Sequence, residues 1–139
     1  MSTESKELFE FKKRLAELRE YQGRGTELVT VYITPGYPIS DIAAKLRDEY
    51  SQASNIKSKS TQKNVQAALE KIMALLKTFK KTPERGLAIF SGNVSQYEGQ
   101  VDVQLFSVEP PYPLATQFYR CESRFVLEPM EDMLEHTGT

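Results

Sequence analysis

Val65, Ala68, Leu69, Ile72, Leu76 and Phe79 recur at spacings of three and four residues. At 100° per residue they fall within one sector of about 100°. That stripe predicts a long amphipathic helix, from near Ile56 or Ser60 to Lys81, with one face pressed on an apolar layer. Leu28-Val29-Thr30-Val31-Tyr32-Ile33, rich in β-branched and aromatic residues, predicts a buried strand that could form such a layer. A long helix and a buried strand in one short chain already point to an α+β fold.

The other elements follow by the same reasoning. Leu8, Phe11, Leu15 and Leu18 mark a first helix over residues 3–21, with Thr3 or Ser5 placed to cap it and Glu4 and Glu7 at the positive end of its dipole. The glycines of Gln22-Gly23-Arg24-Gly25-Thr26 end it. Pro35, Gly36 and Pro38 turn the chain after the strand, and Ile42, Ala43, Leu46 and Tyr50 carry a second helix from about Ser40 to Tyr50. Ser51 to Asn55 read as a tight loop, and Thr82-Pro83-Glu84-Arg85-Gly86 stops the long helix. Strands are expected at Leu87–Ser91, Val101–Val108 and Gln117–Cys121, with Gly92-Asn93 and Glu98-Gly99 marking a hairpin between the first two. Pro110, Pro111 and Pro113 form a stiff connector, and Pro129 stands as the first residue of a last helix. That helix has about ten residues before Thr139, marginal alone, so the chain is expected to be cut from a longer one. The architecture expected is two-layer: about four strands, mixed or antiparallel, packed with helices, and a protruding helical hairpin.

At 139 residues and 40% hydrophobic side chains the chain has room for one domain with a real core. Eighteen basic and nineteen acidic residues give a net charge of −1, which excludes a uniformly basic nucleic-acid binder. One cysteine and one histidine exclude a disulfide scaffold and the usual structural zinc ligand sets. Short apolar runs and an N-terminus of mixed charge predict no membrane span and no export signal, so a cytoplasmic domain is expected.

The near-neutral total hides a segregation of charge. Residues 57–81 hold seven lysines (Lys57, Lys59, Lys63, Lys71, Lys77, Lys80, Lys81) and one acid, Glu70, for a local +6. On the predicted helix Lys59, Lys63, Lys77 and Lys81 share a sector of about 40° away from the apolar stripe. A phosphate backbone rewards such a face through counterion release. A merely solvated lysine face is the plainer reading of charge alone. In Ala53-Ser54-Asn55-Ile56-Lys57-Ser58 small and polar residues surround one lysine beside a helix N-terminus, where unpaired N–H groups gather. Asn and Lys can donate to the O4 and O2 acceptors of uracil. The same residues also serve as an ordinary cap, with Ser54, Asn55 or Ser58 capping and Lys57 solvated.

Asn55-Ile56-Lys57-Ser58 resembles the Asn-Ile-Lys-Ser signature of the class I translation termination factors of archaea and eukaryotes. Tyr119, Cys121 and Phe125 match all three fixed positions of that family's YxCxxxF motif. Gly25-Thr26 resembles the start of its Gly-Thr-Ser motif, and Glu49 stands where the family has an acidic residue before the loop. The resemblance covers essentially residues 1–139 and implies an N-terminal stop-codon-recognition domain, more archaeal than eukaryotic in type.

By that resemblance Asn55 and Lys57, within the Ser54–Ser58 loop at the tip of a helical hairpin, would read the first uridine. Thr26, Glu49, Tyr119 and Cys121 would line a pocket for the next two purines, with Phe125 packing behind. Lys59 and Lys63 would meet RNA backbone. The implied partners are the small ribosomal subunit with its rRNA and mRNA stop codon, and a translational GTPase held by later domains. No cofactor or metal is implied. The bland alternatives are core packing for Cys121 and Phe125, and a lysine salt bridge for Glu49.

Two positions depart from the family pattern. Glu27 replaces the serine of Gly-Thr-Ser, a carboxylate able to accept from a purine amino group but repelled by phosphate, and Gln52 stands where many members have threonine. Catalysis is not expected here. Peptidyl-tRNA hydrolysis in this family uses a Gly-Gly-Gln loop that the sequence lacks, and His136, three residues from the end, serves no nucleophile. Competing readings are a general single-stranded or structured RNA-binding module without codon discrimination, and a protein-interaction domain using the hairpin.

Overall fold

The computed structural model describes residues 3–137, with side chains described from Ser5 to Glu135; Thr3, Glu4 and His136, named above, have side chains outside the described ones. The order is α1 (Thr3–Glu20), β1 (Leu28–Ile33), α2 (Ile39–Gln52), a 3₁₀ turn (Ala53–Asn55), α3 (Lys59–Leu76), β2 (Leu87–Asn93), β3 (Val103–Val108), β4 (Phe118–Glu122) and α4 (Glu128–Thr137). The strands form one sheet in the order β3-β2-β1-β4, antiparallel throughout. The fold is α+β. No helix among the described residues is long and apolar enough to cross a membrane.

Helices cover both faces of the sheet, so the packing is three-layered where two layers were expected. The cause lies in β1, whose six residues are all buried. Successive strand side chains point to opposite faces, so both faces need cover. Leu28 and Tyr32 join Phe11, Leu15, Leu18, Phe90, Phe125 and Met130 in one core, beneath α1 and α4. Val29, Val31 and Ile33 join Ile42, Leu46, Val65, Leu69, Ile72 and Ile89 in the other, beneath α2 and α3.

Several boundaries differ from the sequence expectation, each for a local reason. α3 ends at Leu76 rather than Lys81, because the Thr78 hydroxyl donates to the Leu75 carbonyl at 2.7 Å and the chain tightens into 3₁₀-type bonds. Lys77 and Lys81 therefore lie beyond the helix and do not share a helical face with Lys59 and Lys63. Phe79 still packs on the second core, half-buried. α2 continues through Ser51 and Gln52, where Gln52 donates to Asp48 one turn back at 2.9 Å. β2 runs through Gly92 and Asn93, which pairs with Val103, so the hairpin loop is 94–102. Pro129 is the second residue of α4.

Two side chains of β1 hold the segment leading into α4. Thr30 Oγ1 accepts from the Val126 N–H at 3.0 Å, and the buried Tyr32 hydroxyl donates to the Val126 carbonyl at 2.5 Å. Burial pushes the Tyr32 phenol far above its ordinary range, aided by Glu128 and Glu131, so it stays a donor. Tyr32→Phe leaves that buried carbonyl without its donor. Its expected cost is about 1–3 kcal/mol, read as a lower denaturation midpoint at unchanged m-value.

Candidate nucleic-acid interface

α2 starts from the C-terminal end of β1 and runs back over the sheet. Its inward positions Ile42 and Leu46 reach the layer formed by Val31 and Tyr119, and the charge of Glu49, one turn on, is felt at Tyr119 and Cys121. Fourteen residues carry a helix about 21 Å, slightly more than a six-residue strand of about 20 Å. The connection between α2 and α3 thus stands at the end of the sheet where β1 begins. The Gly25-Thr26 loop, the end of β4 and the β2–β3 loop gather at that same end.

The tip is held by few residues and leaves the others outward. Ala53 is buried and Ile56 half-buried against the second core. Ser58 is the N-cap of α3, its hydroxyl accepting from the Thr61 N–H at 3.3 Å. Ser58 is therefore the capping residue that the sequence left open among three. Ser54, Asn55 and Lys57 are exposed, and the side chains of Asn55 and Lys57 make no hydrogen bond or ion pair among the described residues. Lys59 and Lys63 are exposed on the first turns of α3, and none of the seven lysines of residues 57–81 is ion-paired among the described residues.

Beside the tip lies a second cluster. Tyr119 and Cys121 alternate on β4 opposite Val31 and Val29, on the face covered by α2 and α3, with hydroxyl and thiol 2.9 Å apart. Burial is the main reason the Tyr119 phenol stands far above its ordinary range, followed by its bond to Cys121 and the negative charge of Glu49. Burial likewise raises the Cys121 thiol; the Tyr119 bond opposes this and Glu49 adds to it. Glu49 itself is half-buried and in no ion pair among the described residues, so it does not form the lysine bridge considered as its plainer role.

Next to Tyr119 lies a cleft of ≈ 370 Å³, lined also by Tyr37, Lys45 and Gln117. Sequence reasoning missed Lys45 and Gln117. Helical spacing could have found Lys45, which lies one turn before Glu49 and borders the cleft beside Ile42 and Leu46 while staying exposed. Gln117 carried no signal; its side-chain oxygen accepts from the N–H and hydroxyl of Thr34 at 3.1 and 2.8 Å. No group of three or more His, Cys, Asp or Glu among the described residues could hold a metal ion.

The structure thus brings Glu49, Tyr119 and Cys121 together, and sets Gly25-Thr26 and residues 54–58 at the same end on separate segments. The Gly25-Thr26 loop is tied to β4 by the Gly23 N–H, which donates to the Ser123 carbonyl at 2.7 Å. Thr26 is exposed, and open space surrounds Gly25. Phe125 lies on the other face of the sheet, 5% exposed, edge-on to Phe90 with ring centroids 5.5 Å apart. It is core, and lines nothing on the Tyr119 side.

Residues 6–135 match the family model described as eRF1 domain 1. The chain belongs to that family. Over 134 residues it is 54% identical to the peptide chain release factor subunit 1 of Thermococcus onnurineus, covering 96% of this chain and 32% of that protein. Over 135 residues it is 52% identical to the protein of the same name from Methanocaldococcus jannaschii, covering 96% of this chain and 32% of the relative. A crystal structure of the archaeal translation termination factor aRF1 superposes with a TM-score of 0.81 at 37% identity, covering 90% of this chain and 34% of that one. The chain spans about a third of the length of these relatives. As a member of the eRF1 domain 1 family it carries Asn55-Ile56-Lys57-Ser58 at the tip and Tyr119 and Cys121 on the edge strand just described, with Phe125 beyond that strand in the opposite core.

The raised thiol makes a direct test, because Cys121 is the one cysteine of the chain. The reactive form is the thiolate, so alkylation by iodoacetamide at about pH 8 is expected to run slower than for a free thiol and to recover on unfolding. A group whose folded pKa is raised contributes stability below its unfolded value, so this contribution is lost as pH climbs past the ordinary thiol value of 9.0.

Proposed function

We propose that this domain recognises stop codons in the ribosomal decoding site during translation termination. The observation that carries the reading is the tip: Ala53, Ile56 and Ser58 fix the backbone, while Asn55 and Lys57 are presented outward with side chains uncommitted among the described residues. Lysine and the asparagine amide donate to the O4 and O2 acceptors of the first uridine. Cytosine, which offers an amino donor at N4, is refused by the lysine. Unstacked single-stranded bases are the form that side chains can read in this way.

In this reading Ser54, Ile56 and Ser58 shape the loop. Gly25, Thr26, Glu49, Tyr119 and Cys121 face the two purines that follow. Phe125 supports β4 from the opposite core. Lys59 and Lys63 contact ribosomal RNA phosphates, which supplies affinity without sequence information. The partners are the small subunit with its rRNA and mRNA stop codon in the cytoplasm, and a translational GTPase that engages later domains of the full-length factor. Hydrolysis of peptidyl-tRNA belongs to a Gly-Gly-Gln domain outside this segment, which itself recognises and does not cleave.

Seven exposed lysines without ion partners among the described residues favour a second reading, a general RNA-binding module indifferent to the codon. The test uses the complete factor on ribosomes carrying a photoreactive uridine at the first codon position. Crosslinks to residues 54–59 are expected on a stop codon, at least about tenfold weaker on a sense codon with the same first base, and lost in Lys57→Ala. Equal crosslinking on both codons would leave the general RNA-binding reading in its place.

A further inference from the structure

We propose that Glu27 is a positioning residue: its buried carboxylate holds Asn93, and through Asn93 it ties the β2–β3 loop to the Gly25-Thr26 loop. The inference rests on the decoding reading of Thr26. It concerns the one motif position where this chain carries a carboxylate in place of a hydroxyl.

Glu27 and Asn93 are 3% and 4% exposed. The Asn93 side-chain oxygen accepts two backbone N–H bonds, from Ser95 at 3.2 Å and from Asp102 at 2.8 Å, one at each foot of loop 94–102. The Val94 N–H closes the same neck by donating to the Asp102 carbonyl at 3.0 Å. With its oxygen committed to two N–H donors, the amide has one orientation, which turns its nitrogen to Glu27. That nitrogen donates to Glu27 Oε1 at 3.4 Å.

Backbone packing brings the two strands into this register. Gly92 sits opposite Leu28, where an added Cβ would lie 2.6 Å from Leu28 Cδ2 and 2.9 Å from the Glu27 carbonyl oxygen. The Gly25-Thr26 loop is therefore gripped from two sides, by the Gly23–Ser123 backbone bond toward β4 and by the Glu27–Asn93 side-chain bond toward β2. A carboxylate at this position would accept from a purine amino group if it pointed outward. Buried and facing Asn93, it supports the neighbour that does point outward, Thr26. Purine discrimination then depends on Asn93, a residue that touches no base.

The test compares Glu27→Gln, Glu27→Ala and Thr26→Ala in the complete factor. Two readouts are taken: amide hydrogen exchange at Ser95 and Asp102, and the ratio of kcat/KM for peptide release on a stop codon to that on UGG. Glutamine keeps an acceptor for Asn93, so Glu27→Gln is expected to leave both readouts within about twofold of the parent. Glu27→Ala is expected to speed exchange at both amides and to narrow the ratio, each by about tenfold, with the release rate at saturation on the stop codon unchanged. Retained protection of β1 amides in this variant confirms that the sheet is intact.

Three results would overturn the proposal. Glu27→Gln as damaged as Glu27→Ala would mean that the charge itself reads the codon. Unchanged exchange in Glu27→Ala would mean that no clamp exists. Faster exchange with an unchanged ratio would leave the clamp without influence on reading. If Thr26→Ala also leaves the ratio intact, the decoding reading fails, and the exchange data alone still decide whether Glu27 holds Asn93.

Discussion

β1 is hydrogen-bonded along both edges and buried on both faces, and every other element is placed by reference to it. A strand so enclosed has no face left for water, so its side chains recruit two separate apolar layers. α1 and α4 answer one face, α2 and α3 the other. The strand also reaches out with polar atoms: Thr30 and Tyr32 satisfy both backbone groups of Val126. An unmet polar group in that position would cost more than the bonds themselves contribute, which makes the register of the α4 segment strict.

From this scaffold follows a division of labour between the two ends of the sheet. At one end the chain turns through Pro35 and Gly36 and offers little chemistry. At the other, four segments distant in sequence converge: the end of α1 and its loop, the α2–α3 tip, the β2–β3 loop and the end of β4. Strand antiparallelism brings the loops and strand ends together, since β1 begins where β2 and β4 finish, and the length of α2 carries the tip to the same end. The lysines beyond Leu76 belong to the opposite end of α3 and stand apart from Lys57, Lys59 and Lys63.

Much of this could be read from residue order. The span of β1 and the stripe from Val65 to Leu76 needed only periodicity and residue type. The tip was legible because Asn55 to Ser58 is a contiguous motif, and contiguous motifs survive in a linear reading. The misses have a common origin. The end of α3 depends on the Thr78 hydroxyl competing for a helical carbonyl, which propensity averages over. The course of β2 through Gly92 and Asn93 looks like turn chemistry locally and is strand chemistry only because Leu28 and Val103 lie alongside. Gln117 borders the cleft through the packing of α2 beside β4, and no local pattern encodes that approach. Phe125, four residues beyond Cys121 in one motif, faces the other way because the chain leaves β4 after Glu122 and crosses to the α1 side.

The contact between Tyr119 and Cys121 has a further property. Hydroxyl and thiol each carry a single hydrogen on a freely turning bond, and either can serve as the donor in the bond between them. A backbone N–H or a carboxylate presents one fixed polarity to its surroundings. Two coupled rotors can exchange roles without moving a heavy atom, so the wall they form tolerates a neighbour that donates and a neighbour that accepts. Such a surface is selective for shape and lenient toward hydrogen-bond direction.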